Sequence, residues 1–318
     1  MGEAADPAPA AARGRVAPPM PWRTRLAVLA AGYVTDATRR ADGTVNRRLL
    51  GVLDKGVAAS AAPRHGVASR DVVLDAAVPL RARLFHPAAA RRPLPVVVFF
   101  HGGGFAYLSA ASPAYDAACR RIARHAAAAV LSVDYRRAPE HRCPAAYDDG
   151  LAALRFLDEP AAAGADPPLD PVALLPRRGH AGGNIAHHVA RRYALDPSRF
   201  AAVRLAGLVA IQPFFGGEER TPAELRLDGA PIACSPDAAV AGLEAAPAFP
   251  PATVVVGGYD PLQDWQRRYC DALRGKGKEV RVLEYPGAIH AFYVFPEFAD
   301  AKDLMLRIKD IVAGSGSE

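Results

Sequence analysis

Five consecutive apolar residues running into a histidine and three glycines, Val96–Gly104, constrain this chain more than any other stretch. Val96, Val97, Val98, Phe99 and Phe100 are β-branched or aromatic with no polar alternation, which suits a strand buried on both faces of a parallel sheet. His101, Gly102, Gly103 and Gly104 then fall at the strand's carboxyl end. Glycines there let the backbone approach a substrate with its N–H groups exposed, a geometry able to hold the oxyanion of an acyl-transfer intermediate.

Around this run, strand and helix patterns alternate. Asp71–Asp75 and Leu80–Phe85 read as a strand pair, Pro113–His125 as a helix and Ala129–Tyr135 as a second buried strand. Pro139 and Pro144 break the segment Tyr135–Gly150 into a structured loop, followed by a helix from about Ala146 to Leu157. Val203–Ile211, Thr253–Val256 and Glu279–Tyr285 continue the strands, with helices over Leu262–Leu273 and Ala299–Val312. This order predicts an α/β fold with a doubly wound, mostly parallel sheet, whose ligands sit at the carboxyl ends of the strands. With 318 residues, 51% of them hydrophobic, the chain is long enough to bury such a core as one large domain with an appendage.

Two further residues fall just past strands. Asp260 follows the VVVGGY run and Gly257–Gly258, and His290 follows VRVLEYPGAI. An aspartate and then a histidine in this order match the last two members of a Ser–Asp–His constellation, the Asp fixing the imidazole tautomer and the His shuttling the proton.

The charge pattern excludes other classes. A net charge of +6 is scattered in Arg pairs (Arg39–Arg40, Arg47–Arg48, Arg267–Arg268) read here as solvated faces, so nucleic acid is not an expected partner. Cys119, Cys143, Cys234 and Cys270 lack metal-ligand spacing, which predicts free thiols, no metal and no cofactor. The apolar run Leu26–Val34 is too short to cross a bilayer, so no membrane association is expected, and the expected location is cytoplasmic, with the nucleus as a second site. Trp22, Leu26, Leu29 and Tyr33 lie at helical spacing, and a turn at Ala41–Gly43 leads to a second helix carrying Leu49, Leu50 and Leu53. Such helices could cap the mouth of a site or pad the edge of the core.

HGGGF (His101–Phe105), DYRRAPEH (Asp134–His141), YDDG (Tyr147–Gly150), AGGNIAHHVA (Ala181–Ala190), QPFFGGEERT (Gln212–Thr221) and GGYDPLQDW (Gly257–Trp265) together resemble the plant carboxylesterases. That group lies within the hormone-sensitive-lipase-like branch of the α/β-hydrolases and includes the gibberellin receptors. The resemblance runs from Pro18 to nearly the end of the chain. Residues 1–20 are rich in Ala and Pro and are expected to be disordered, while the resemblance implies an N-terminal helical lid over 21–65 and an α/β-hydrolase domain over 66–318. It also implies a small-molecule ester or hormone-like ligand, and an oxyanion hole at Gly102, Gly103, Gly104 and Ala181. The receptors have replaced the triad histidine; His290 is kept here, which favours the esterase side.

The chain departs from the family pattern twice. Where the family has Gly-Asp-Ser before Ala181, this chain has Arg178, Gly179 and His180, so the nucleophile position holds a histidine. Arg178 is too large for the tight elbow, and Pro176 removes a backbone donor from an expected central strand. The nine residues 172–180 fit a frame-shifted reading of an ordinary elbow, with one extra base near Pro171 and one missing at the serine. Second, a Trp- and Arg-containing segment is absent between Ile232 and Ser235, which should open the pocket.

Overall fold

In the computed structural model, which describes residues 18, 20–90, 92–160, 166–227 and 235–314, the Val96–Phe100 run lies inside an eight-stranded sheet. The strands are β1 (Val67–Asp75), β2 (Leu80–Pro87), β3 (Leu94–Phe100), β4 (Ala129–Asp134), β5 (Leu169–Gly179), β6 (Arg204–Pro213), β7 (Ala252–Tyr259) and β8 (Val280–Ile289). Their order is β1-β2-β4-β3-β5-β6-β7-β8, antiparallel where β2 meets β1 and β4, and parallel from β4 through to β8. The expected mostly parallel sheet is therefore present, with β1, β2 and β8 longer than the sequence pattern marks them.

The apolar run is uninterrupted because each face of the sheet carries helices. Val96, Val98 and Phe100 point into a core shared with α4 (Ala145–Asp158), α5 (His180–Leu195) and α6 (Gln263–Gly275). Val97 and Phe99 point into the opposite core, with α3 (Pro113–Ala126) and α7 (Ala299–Gly314). Residues one apart on a strand face opposite ways, so both sets must be apolar. Phe99 and Phe100 are fully buried, and each contributes about 1.5–3 kcal/mol by leaving water.

β5 forms despite its prolines. It pairs with β6 through Pro176↔Val209 and Arg177↔Ala210, and with β3 at Val96↔Ala173, Val97↔Leu174 and Phe100↔Arg177. Neighbours on both sides hold the backbone extended across a residue that has no N–H to donate.

α1 (Trp22–Thr38) and α2 (Arg47–Leu53) precede the sheet. The apolar stripe of α1 neither caps a site nor pads the core: Trp22, Leu26, Leu29 and Tyr33 are 60–71% exposed. The inward side of α1 is instead made of small side chains. Ala31, Val34 and Thr35 line a cavity beneath it, and Thr24 and Thr38 are buried. Of the expected disordered segment 1–20, residues 1–17 and 19 lie outside the described residues, as do Cys234 and most of the Ile232–Ser235 departure. Cys143 and Cys270 are free thiols, and Cys119 is buried on α3.

Arg47 corrects the reading of the arginine pairs as solvated. From α2 it donates to the Ala106 carbonyl, to the Ala138 carbonyl at 2.5 Å, and in a forked pair to Glu140 at 2.9 and 2.5 Å. This one side chain fastens the N-terminal helices to the loops after β3 and β4. The bond from Arg47 holds the Glu140 carboxyl down at about 2. A depressed carboxylate contributes its stability above the ordinary carboxylate range and loses it as pH falls through about 2, so the pair is intact at neutral pH. Arg47→Ala is expected to cost about 1–2 kcal/mol, mostly through the two carbonyl bonds because the half-exposed Glu140 pair is screened. Hydrogen exchange across residues 22–53 at pH 7 checks this; exchange unchanged from the parent chain contradicts it.

Candidate active site

The parallel strands β3 to β8 bring their carboxyl ends to one edge of the sheet, and every candidate catalytic and oxyanion-hole residue falls there. His101 and its glycines follow β3, His180 follows β5 as the first residue of α5, Asp260 follows β7 and His290 follows β8.

The glycine loop is held in one shape. Gly103 has φ +112°, and a Cβ there would lie 2.1 Å from the Tyr107 carbonyl oxygen, so only glycine fits. Tyr107 N–H donates to Gly103 O at 2.8 Å, Ala138 N–H to Phe105 O at 3.0 Å and Arg137 to Leu108 O at 2.5 Å. Beneath the loop His101 is fully buried, its ring stacked on Tyr135 with centroids 4.2 Å apart. Burial pushes its pKa down to about 4, so the ring is neutral at pH 7. Its Nδ1 lies 2.8 Å from Gly102 O; a carbonyl only accepts, so geometry assigns the proton to Nδ1. The Tyr135 hydroxyl donates to His101 O at 2.9 Å. The result is a pre-set backbone able to present N–H groups to developing negative charge without rearranging.

The first turn of α5 is wedged against this loop. A Cβ on Gly182 would lie 2.1 Å from Phe100 O and 3.0 Å from His101 O, and one on Gly183 would lie 2.8 Å from Pro213 Cα. The AGG sequence is thus what lets α5 seat between the ends of β3 and β6. Ala181 is fully buried in that turn. Asn184 accepts from the Tyr147 hydroxyl at 2.5 Å and donates to Phe214 O at 3.3 Å, locking the turn laterally.

Asp260 and His290, 30 positions apart in sequence, meet at 2.8 Å between Oδ2 and Nδ1. The carboxylate is fully buried; Oδ2 also accepts from Gln266 Nε2 at 2.9 Å, and Oδ1 accepts from Leu262 N–H at 2.9 Å. Burial opposes ionisation, but the His290 charge and these donors outweigh it and hold the Asp260 carboxyl below its usual range. An ionised Asp260 orients the imidazole with Nδ1 protonated, so that Nε2 is the atom able to take up a proton. Gln266 was not legible as part of this pair: it reads as an ordinary polar residue of an amphipathic helix.

Two cavities flank the loop, sharing Gly104 and Phe214 as their divide. One of about 460 Å³ lies under α1 and α2, lined by Ala31, Val34, Leu50, Leu53, Tyr107 and Leu108. The other, of about 550 Å³, is lined by Phe105, Arg136, His141, Cys143, Tyr147 and His188. Among the described residues no cluster of His, Cys, Asp and Glu is arranged to hold a metal ion.

Comparison with known proteins agrees with this architecture. A family model described as the alpha/beta hydrolase fold matches residues 97–239 and 226–294, the two stretches meeting where the sequence departs from the family pattern near Ile232. Gibberellin receptor GID1C of Arabidopsis thaliana is 38% identical over 299 residues, covering 81% of this chain and 84% of the receptor. Carboxylesterase 20 of the same plant is 36% identical over 197 residues, covering 58% of this chain and 59% of that protein. Among solved structures, a hyperthermophilic esterase from the archaeon Pyrobaculum calidifontis superposes with a TM-score of 0.65 at 26% identity, covering 94% of this chain and 99% of the esterase.

Proposed function

Since the chain belongs to the α/β-hydrolase fold family, we propose that it carries the framework of a cytoplasmic carboxylesterase for small carboxylic esters, with the nucleophile lost at position 180. The observation that carries this reading is the 2.8 Å Asp260–His290 pair on the same sheet edge as the glycine loop. A binding protein has no use for a buried, ionised aspartate aligned on an imidazole.

The chemistry runs as follows when a serine stands at position 180. Its hydroxyl attacks the ester carbonyl carbon while His290 Nε2 takes the hydroxyl proton, and Asp260 stabilises the imidazolium. N–H groups from the set Gly102, Gly103, Gly104 and Ala181 hold the tetrahedral oxyanion, and collapse expels the alcohol, which receives the proton from His290. Water then repeats the sequence on the acyl-enzyme. His180 offers no hydroxyl to deprotonate, so the first step has no donor atom.

The same nine residues point to the cause. Val172–His180 can be encoded GTC GCG CTG CTT CCT CGC CGG GGA CAC. Without the first G the bases read TCG CGC TGC TTC CTC GCC GGG GAC, or Ser-Arg-Cys-Phe-Leu-Ala-Gly-Asp, and one restored G turns the trailing AC into the serine codon AGC. The frame then rejoins at Ala181. This replaces Pro176 in the strand and Arg178 in the elbow by Leu and Gly, meeting both steric objections. Sequencing genomic DNA and transcript across codons 170–185 tests it. Codons that two single-base changes cannot convert to this elbow overturn the frame-slip reading.

The apolar cavity under α1 and α2 favours a second reading, a hormone-binding protein like the receptors. With His290 retained and the wall segment after Ile232 absent, the expectation is no receptor-like affinity for gibberellin. Isothermal titration checks this, and sub-micromolar binding contradicts it.

A further inference from the structure

Asp260 fixes the His290 ring, but the peptide that carries the ring needs a hold of its own. That peptide sits at an unfavourable turn: Ala291, directly after His290, has φ +60° without being glycine. Gln212, at the end of β6, supplies what is missing. Its Nε2 donates to Ile289 O at 3.0 Å and its Oε1 accepts from Ala291 N–H at 2.7 Å, so one amide grips the peptides on both sides of His290. Gln212 is fully buried and is itself held at φ +49°.

The reach is not between neighbours. β7 lies between β6 and β8, and the Gln212 side chain crosses it at Gly257. A Cβ on Gly257 would lie 2.4 Å from Gln212 Nε2 and 2.8 Å from Ala288 O. The glycine is therefore an opening through which the amide passes, three residues before Asp260.

We propose that Gln212 is a positioning residue for His290, acting through its two hydrogen bonds across Gly257 to hold the imidazole in line with Asp260. This rests on the triad reading above, and the test separates the two. In the chain with His180, the low-field Nδ1–H proton of His290, identified by its loss in His290→Ala, reports alignment on Asp260 without any need for turnover. Gln212→Leu is expected to speed its exchange about tenfold, as the loss of a hydrogen bond predicts. Gln212→Glu, which keeps the acceptor for Ala291 N–H, is expected to recover part of the protection.

In a chain rebuilt with a serine elbow, Gln212→Leu is expected to lower kcat about ten- to a hundredfold with KM within about twofold. An unchanged His290 proton in Gln212→Leu overturns the positioning role. Where Gln212→Leu fails to fold, Gln212→Glu decides: protection equal to the parent's contradicts the proposal, and intermediate protection supports it. A rebuilt chain without turnover but with the expected proton behaviour overturns the triad reading and leaves the positioning role standing.

Discussion

Rebuilding residues 172–180 as Ser-Arg-Cys-Phe-Leu-Ala-Gly-Asp-Ser is expected to raise hydrolysis of a short-chain p-nitrophenyl ester on the order of 10⁶-fold over the chain with His180. The magnitude follows from what the remaining groups can do alone. A glycine loop and a binding cavity can stabilise an oxyanion, but no oxyanion forms until a nucleophile attacks. Under the proposed reading the other groups stand ready: the Asp260 carboxyl is held below its usual range and bonded to His290, and the loop after β3 is pinned by Arg47, Arg137 and the Ala138 backbone. His290→Ala in the rebuilt chain returns the rate to background. Turnover near 1 s⁻¹ or above by the chain with His180, abolished by His290→Ala, contradicts the assignment and requires another nucleophile.

The second largest effect belongs to Asp260. In the rebuilt chain, Asp260→Asn is expected to lower kcat on the order of 10⁴-fold with little change in KM. An asparagine fits the same space, but its amide can donate to His290 Nδ1 and so leave the proton on Nε2, where it blocks uptake from the serine. Steady-state kinetics measure it; a loss below about tenfold contradicts the role of Asp260 as the orienting carboxylate. The substitution also has a signature in stability. Because the Asp260 carboxyl is held below its unfolded value, its contribution is present above the ordinary carboxylate range and is lost as pH falls through the folded value. Asp260→Asn removes that part of the acid sensitivity.

Much of this was legible in the sequence because local pattern carried it. The Val96–Phe100 run had to be buried on both faces, and the structure supplies two cores for alternate residues. Asp260 and His290 could be paired before any coordinates because each stands at a strand end and parallel strands end on one edge. α1 misled for a physical reason. Periodicity reports which residues share a face, not which face turns inward, and the small residues Ala31, Val34 and Thr35 allow the approach that Trp22 and Tyr33 do not. Arg47 was hidden by its charge: an arginine pair reads as solvated until its carbonyl partners, 59 and 91 positions away, are known. Gln212 opens the QPFFGGEERT motif, but its role stayed hidden because its bonds span a whole strand. The one cue was the glycine at 257, which sequence explains equally well as a turn.

Covalent labelling with a fluorophosphonate tests the central claim most directly. The probe loses fluoride to an activated hydroxyl and leaves a phosphonate ester on the attacking oxygen, which mass spectrometry locates to a residue. The expected result is stoichiometric labelling at position 180 in the rebuilt chain, dependent on His290, and none in the chain with His180. Labelling of the chain with His180 at any residue in a His290-dependent manner contradicts the account, as does a folded rebuilt chain that takes up no label.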